Sequence, residues 1–160
     1  MARKELTDDG FITLNETPVG KNVDNRKKSD VQLVQFFLHQ FFLKKPELFR
    51  KLPPTKRRQQ VIVIDGAFGK QTAAGITVFQ EELKQLGVPI KADGLVSVMT
   101  GTRSARGNPF TISFLNSFFT TFGNDKEFKN NLENHPLIFS AAPELAAELF
   151  ISLPRDDFQG

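Results

Sequence analysis

Two stretches of this 160-residue chain share one frame. Asp65-Gly66-Ala67-Phe68-Gly69-Lys70-Gln71-Thr72 reads Asp-Gly-x-x-Gly-x-x-Thr. Asp93-Gly94-Leu95-Val96-Ser97-Val98-Met99-Thr100 repeats it 28 positions later, with Ser97 in the place of Gly69. The spacing has a mechanical reading. Asp-Gly makes a tight turn, because glycine takes positive φ at little steric cost. The fourth residue, Phe68 or Val96, is a hydrophobe for the core. The fifth is an N-cap, a position that accepts Gly and Ser alike. The Thr then falls in the first helical turn, where its hydroxyl can bond locally. A chain with this frame twice enters two helices from two similar corners. The frame by itself carries no chemistry.

Helical periodicity dominates the rest of the chain. Val31, Val34, Leu38 and Phe41 form one apolar face, and Leu33, Phe36, Phe37 and Phe42 widen it, so the first helix is expected to be buried on most of its circumference. Ser29 and Gln32 fit a capping box at its start. Pro46, Pro53 and Pro54 punctuate a basic loop from Lys44 to Gln60 with one short turn near Glu47 to Lys51. Phe11 to Leu14 and Val61 to Ile64 read as short extended pieces. A second helix is predicted from Lys70 to Leu86, with Ala73, Ile76, Phe79, Leu83 and Leu86 inward and Gly87 as its left-handed stop. A brief third is expected from Val98. Asn108-Pro109 opens a fourth, whose Phe110, Phe114, Phe118 and Phe122 recur every four residues and are read as core. Asn124 to Glu133 and Pro143 to Ile151 are read as two more.

Composition removes whole classes of chemistry. No cysteine is present, which excludes disulfides, thiolate nucleophiles and Cys-ligated zinc. Of the two histidines, His39 falls mid-helix beside apolar positions and His135 precedes Pro136 in an expected surface loop. A His-rich metal site is therefore not expected, nor any cofactor. No nucleophile elbow is present. The Gly-Lys-x-Thr at Gly69–Thr72 lacks the spacing of a phosphate loop. Glu144 and Glu148 read as a solvated helix face, not as the paired carboxyls of a glycosidase. The chain is read as non-enzymatic. No apolar run approaches a membrane span. The opening MARKELTDDGFITLN holds no apolar signal core, so an unprocessed Sec-type leader is not expected, and the compartment stays open.

Charge is unevenly distributed. Residues 21–58 carry eleven basic and three acidic side chains, net +8, and the remainder is net −5. Such a segment attracts polyanions. It lacks the stacking platform or recognition helix of a nucleic-acid reader, so specific nucleic-acid binding is not expected and only non-specific binding is kept as an alternative.

The ordered set Val31…Val34-Gln35…Leu38, then Ile64-Asp65-Gly66-x-Phe68-Gly69-x-x-Thr72…Phe79-Gln80, then Asp93-Gly94-x-x-Ser97-x-x-Thr100 resembles the peptidoglycan-binding domain family. This is the small three-helix module attached to many bacterial and phage cell-wall hydrolases. Val19-Gly20, Asn25 and Asp30-Val31 resemble a lead-in seen in some of these modules. The resemblance covers about residues 20–104. It implies a mostly α fold: a three-helix bundle with short extended segments, residues 1–19 as an N-terminal extension, and residues 105–160 as a helical C-terminal extension packing on it. Asp65, Gly66, Gly69, Thr72, Phe79, Asp93, Gly94 and Thr100 would define the fold. The implied partner is peptidoglycan or another anionic wall polymer, in a shallow groove near the Asp-Gly turns. Gln35, Phe68 and Gln80 are candidate contacts, aided by Lys44, Lys45, Arg57 and Arg58 of the basic loop. Gln35 and Gln80 have two readings: bonding loop backbone, or lining the groove. The chain departs from the family at Gly101-Thr102-Arg103, where an apolar continuation is usual, and in its lack of Trp and Tyr for sugar stacking. An alternative from another class keeps the fold as a structural module of a phage or secretion-related assembly, with a protein partner on the Phe-rich C-terminal region.

Overall fold

The most apolar stretch of the sequence becomes the centre of the molecule. The computed structural model describes residues 2–7, 10–21, 23, 27–54, 62–98, 110–123 and 125–151. Helix α1 (Lys28–Lys44) is buried on nearly every side, through Val31, Leu33, Val34, Phe36, Phe37, Leu38, Phe41 and Phe42. The short α2 (Pro46–Phe49) follows, then α3 (Lys70–Gln85), α4 (Thr111–Phe122), α5 (Pro136–Ala141) and α6 (Pro143–Ile151). The described residues are mostly helical. Helices α3, α4 and α6 all pack on α1. Its phenylalanines make the joints: Phe41 meets Phe79 of α3 edge-on at 4.9 Å and Phe118 of α4 at 5.1 Å, and Phe36 meets Phe119 of α4 at 5.4 Å. Each edge-on pair adds about 0.5–1.5 kcal/mol beyond burial alone. Gly75 lets α3 approach closely, since a Cβ there would stand 3.3 Å from Leu38 and Ile62 side-chain atoms.

Two small antiparallel ladders accompany the helices. Strands β1 (Arg3–Thr7) and β2 (Gly10–Leu14) form a hairpin with Lys4 opposite Thr13. Strand β3 (Val19–Gly20) pairs with β4 (Leu95–Val96). Ile62 to Ile64 forms no strand among the described residues, and Val61 lies outside them. The hairpin is tied to the C-terminal helices at three points. Asn116 of α4 donates from Nδ2 to the Thr13 carbonyl and accepts from the Thr13 amide, both at 2.9 Å. The buried Lys4 ammonium donates to Glu133 Oε2 at 2.6 Å, and the Ala2 amide donates to Glu148 at 2.8 Å. Contacts thus run across both boundaries drawn from the sequence, at 19/20 and 104/105.

Several expectations are corrected. The capping box at Ser29 does not form. The helix starts at Lys28 with Lys27 as N-cap, and Ser29 is buried inside the first turn. The preceding loop closes the end instead: Asp30 accepts from the Thr17 amide at 2.8 Å and its hydroxyl at 2.6 Å, and Thr17 Oγ1 accepts from the Lys27 amide at 3.3 Å. Leu86 is not inward but 71% exposed, because it is the C-cap residue and has left the helical stripe. The helix expected over Asn124 to Glu133 is two 3-10 turns, Lys126–Phe128 and Leu132–Asn134. His135 explains the break. It is buried against Phe36 and Phe128, not on a surface loop. Its Nδ1 accepts from the Leu137 amide at 3.1 Å as the cap of α5, so Nε2 carries the proton and donates to Asp125 at 2.8 Å. A straight helix would hold residues ten apart roughly 15 Å from each other. The chain must fold back to bring Asp125 and His135 together. Past the second corner the chain enters β4 and not a helix, Ser97 and Val98 are not helical, and the rest of the expected third helix lies outside the described residues. Asn108-Pro109 does not open the fourth: Phe110 is extended and is the N-cap of α4, which begins at Thr111. The buried face of α4 is Ile112, Leu115 and Phe119, while Phe110, Phe114 and Phe118 are only partly buried and Phe122 is 58% exposed.

Candidate functional site

The two Asp-Gly corners are built alike, and the reason is a glutamine on the preceding helix. In the first, Gln35 of α1 accepts through Oε1 from the Gly66 amide at 2.8 Å and the Asp65 amide at 3.1 Å. Its Nε2 donates to Asp65 Oδ1 at 3.0 Å, the Ala67 carbonyl at 3.0 Å and Thr72 Oγ1 at 3.1 Å. In the second, Gln80 of α3 accepts from the Gly94 amide at 2.8 Å and donates to Asp93 Oδ1 at 3.3 Å, the Leu95 carbonyl at 3.0 Å and Thr111 Oγ1 at 3.0 Å. Each Asp also accepts from the amide two residues on, at 3.0 Å in both corners. Gly66 and Gly94 take φ of 75° and 72°, the left-handed region that favours glycine.

Of the two readings for the glutamines, the geometry gives bracing. Both are buried and their amides are engaged on the turns. The threonine hydroxyl accepts from the glutamine rather than bonding locally. In the second corner that hydroxyl belongs to Thr111, eighteen positions after Asp93, whereas Thr72 follows Asp65 by seven. Thr100, the Thr of the repeated frame, lies outside the described residues. The first corner leads into α3 through Gly69, which is its N-cap. Phe68 is half-buried against the core and Phe79 is fully within it.

Between the corners lies a groove of about 690 Å³. Phe68, Gly69 and Lys70 border it from the first corner, Asp93 and Gly94 from the second, with Ala73, Ala74 and Thr77 of α3 between and Lys21 and Pro53 also on its lining. It therefore combines an aromatic wall, small residues and charges of both signs. Among the basic candidates, Lys44 is exposed and Lys45 pairs with Glu82 at 3.7 Å, and neither borders the groove. Arg57 and Arg58 lie outside the described residues. Lys21, Lys70 and Thr111 were not among the sequence candidates. Lys70 was legible as the residue after the N-cap of the first corner. Thr111 was not, because eleven extra residues separate it from its frame.

Among the described residues no group of three or more His, Asp or Glu side chains is placed to hold a metal, and no helix is long and apolar enough to cross a membrane. His39 is half-buried and donates from Nδ1 to the Ile62 carbonyl at 2.9 Å. No protein-family model, curated protein or solved structure matches the chain.

Proposed function

We propose that this chain is a non-catalytic module of the peptidoglycan-binding type, taking cell-wall polymer into the groove between its two corners. The observation that carries the reading is the duplicated brace, Gln35 on Asp65-Gly66 and Gln80 on Asp93-Gly94. It gives a physical role to the positions on which the family resemblance rests, and it fixes both rims of one groove. The groove volume of about 690 Å³ lies within the roughly 300–1,000 Å³ usual for ligand sites. Lys21 and Lys70 suit carboxylates or other anions of a wall polymer. Asp93 suits sugar hydroxyl or amide donors, and Phe68 offers an apolar face. Sedimentation with purified insoluble peptidoglycan at low salt tests this. The full chain is expected in the pellet, and Lys21→Glu with Lys70→Glu in the supernatant. Wild-type protein staying in the supernatant removes wall binding.

A second reading, a protein-interaction module of a larger assembly, is favoured by one feature. Phe139 and Phe150 are 72% and 66% exposed and line a hollow of about 440 Å³ between α5 and α6. Analytical ultracentrifugation with and without Phe139→Ser and Phe150→Ser tests it. A monomer unaffected by either change, with no partner in solution, counts against this reading.

A further inference from the structure

The groove has a hollow at each end, and the two hollows are built on the same backbone frame. The first, of about 380 Å³, is lined by Ile62, Val63, Asp65, Ala67, Gly69 and Thr72 among others. The second, of about 270 Å³, is lined by Ile90, Lys91, Asp93, Leu95, Ser97 and Thr111 among others. These are matching positions: the residues three and two before the Asp, the Asp itself, those two and four after it, and the braced Thr. Each hollow has one carboxylate and one ammonium on its lining, Asp65 with Lys70 in the first and Asp93 with Lys91 in the second, although the lysines come from different places in the frame, five residues after the Asp in one and two before it in the other. In both, Oδ1 of the Asp is held by the glutamine and the turn amide, and Oδ2 makes no hydrogen bond among the described residues. The hollows join the groove through shared residues, Gly69 and Lys70 at one end and Asp93 at the other. The surface is thus a track with a braced Asp and Thr and one nearby ammonium at each end.

We propose that the hollows are twin subsites for one repeating unit of a polymer, so that a strand lying in the groove places like groups in both. The unit would carry a carboxylate for the lysine and an amide or hydroxyl donor for the aspartate. This rests on the wall-binding reading, which supplies a polymer of amide- and carboxylate-bearing sugars. It adds a stoichiometry of two units per chain, and a dependence on strand length that a single groove does not require. Two linked sites raise avidity by about 10²–10⁴ over one.

The test is a titration of the 15N-labelled full chain with soluble disaccharide-peptide monomer, followed by strands of several repeats. The amides of Ala67 and Leu95 are expected to shift over the same concentration range, with two monomers bound. Ala67→Trp, at an exposed position outside the central groove, abolishes the first set and leaves the second. Ser97→Trp does the reverse, and Lys91→Glu, at the surface, repeats that test independently of whether S97W folds. Each single change lowers affinity for long strands at least tenfold. One monomer per chain, shifts confined to Phe68 and Ala74, or no monomer shifts while the wild type still sediments with insoluble wall, overturns the twin-site proposal and leaves the proposed function standing. Failure of the wild type to sediment overturns both.

Discussion

A single buried amide organises each corner. Gln35 presents both an acceptor and a donor to the backbone of its turn, and Gln80 does the same. Two protons on each Nε2 are shared among three acceptors, so no other uncharged side chain of that reach replaces the set. Leucine at either position keeps the volume and strands the turn's polar groups. We expect Gln35→Leu and Gln80→Leu each to destabilise by about 2–4 kcal/mol, read from urea denaturation, since unsatisfied buried groups cost about 1–3 kcal/mol apiece. A change below about 0.5 kcal/mol would show that the braces are incidental. Gly66 tests the same corner from the backbone. Its φ is 75°, and a Cβ would stand 2.4 Å from Lys28 Cγ. Gly66→Ala is expected to lose about 1–2 kcal/mol through the left-handed conformation, and more if the lysine stem cannot yield.

At the scale of elements, the start and stop of α3 follow local rules. Gly69 caps it without a side chain. At its end the Gly87 amide bonds the Lys84 carbonyl at 3.0 Å and the Val88 amide reaches back to Leu83 at 3.0 Å, the paired closure that a left-handed glycine makes possible. Gly87→Ala should cost about 1 kcal/mol, since nothing crowds the position and only the backbone conformation objects. A drop in Tm of a few degrees by calorimetry is the expected readout. These features were readable because periodicity, caps and glycine stops act over a few residues. So were the burial of α1 and the inward faces of Leu145 and Leu149. What could not be read was any partnership set by folding. Thr111 supplies to the second corner the hydroxyl that Thr72 supplies to the first, yet no spacing rule announces it. Thr111→Val is expected to weaken the second corner by about 1 kcal/mol, the net worth of one hydrogen bond. The capping box at Ser29 failed for a related reason. Asp30 engages Thr17, and that contact fixes where the helix begins. His135 was misplaced because a histidine before proline reads as loop, while its burial depends on Phe36 of α1, nearly a hundred residues away.

At the scale of the molecule, the two ends of the described chain hold each other. Lys4 and Glu133 are a buried ion pair between the N-terminal hairpin and the turn before α5. Removing one partner leaves a buried charge uncompensated, so Lys4→Met is expected to destabilise by about 3–5 kcal/mol. Replacing both, Lys4→Met with Glu133→Leu, should recover most of that loss, because apolar pairs of similar volume often match a buried ion pair. Full recovery of neither stability nor a single cooperative transition in the double variant would mean that the pair does more than neutralise itself. Asn116 has a different reach. By taking both the amide and the carbonyl of Thr13, a helix side chain stands in for a third strand beside the hairpin. An incoming extended peptide would find the outward backbone groups at that register already occupied. The hairpin is thereby barred from growing by strand addition along that side, which protects a small, Phe-rich protein from the edge-to-edge association that open ladders invite.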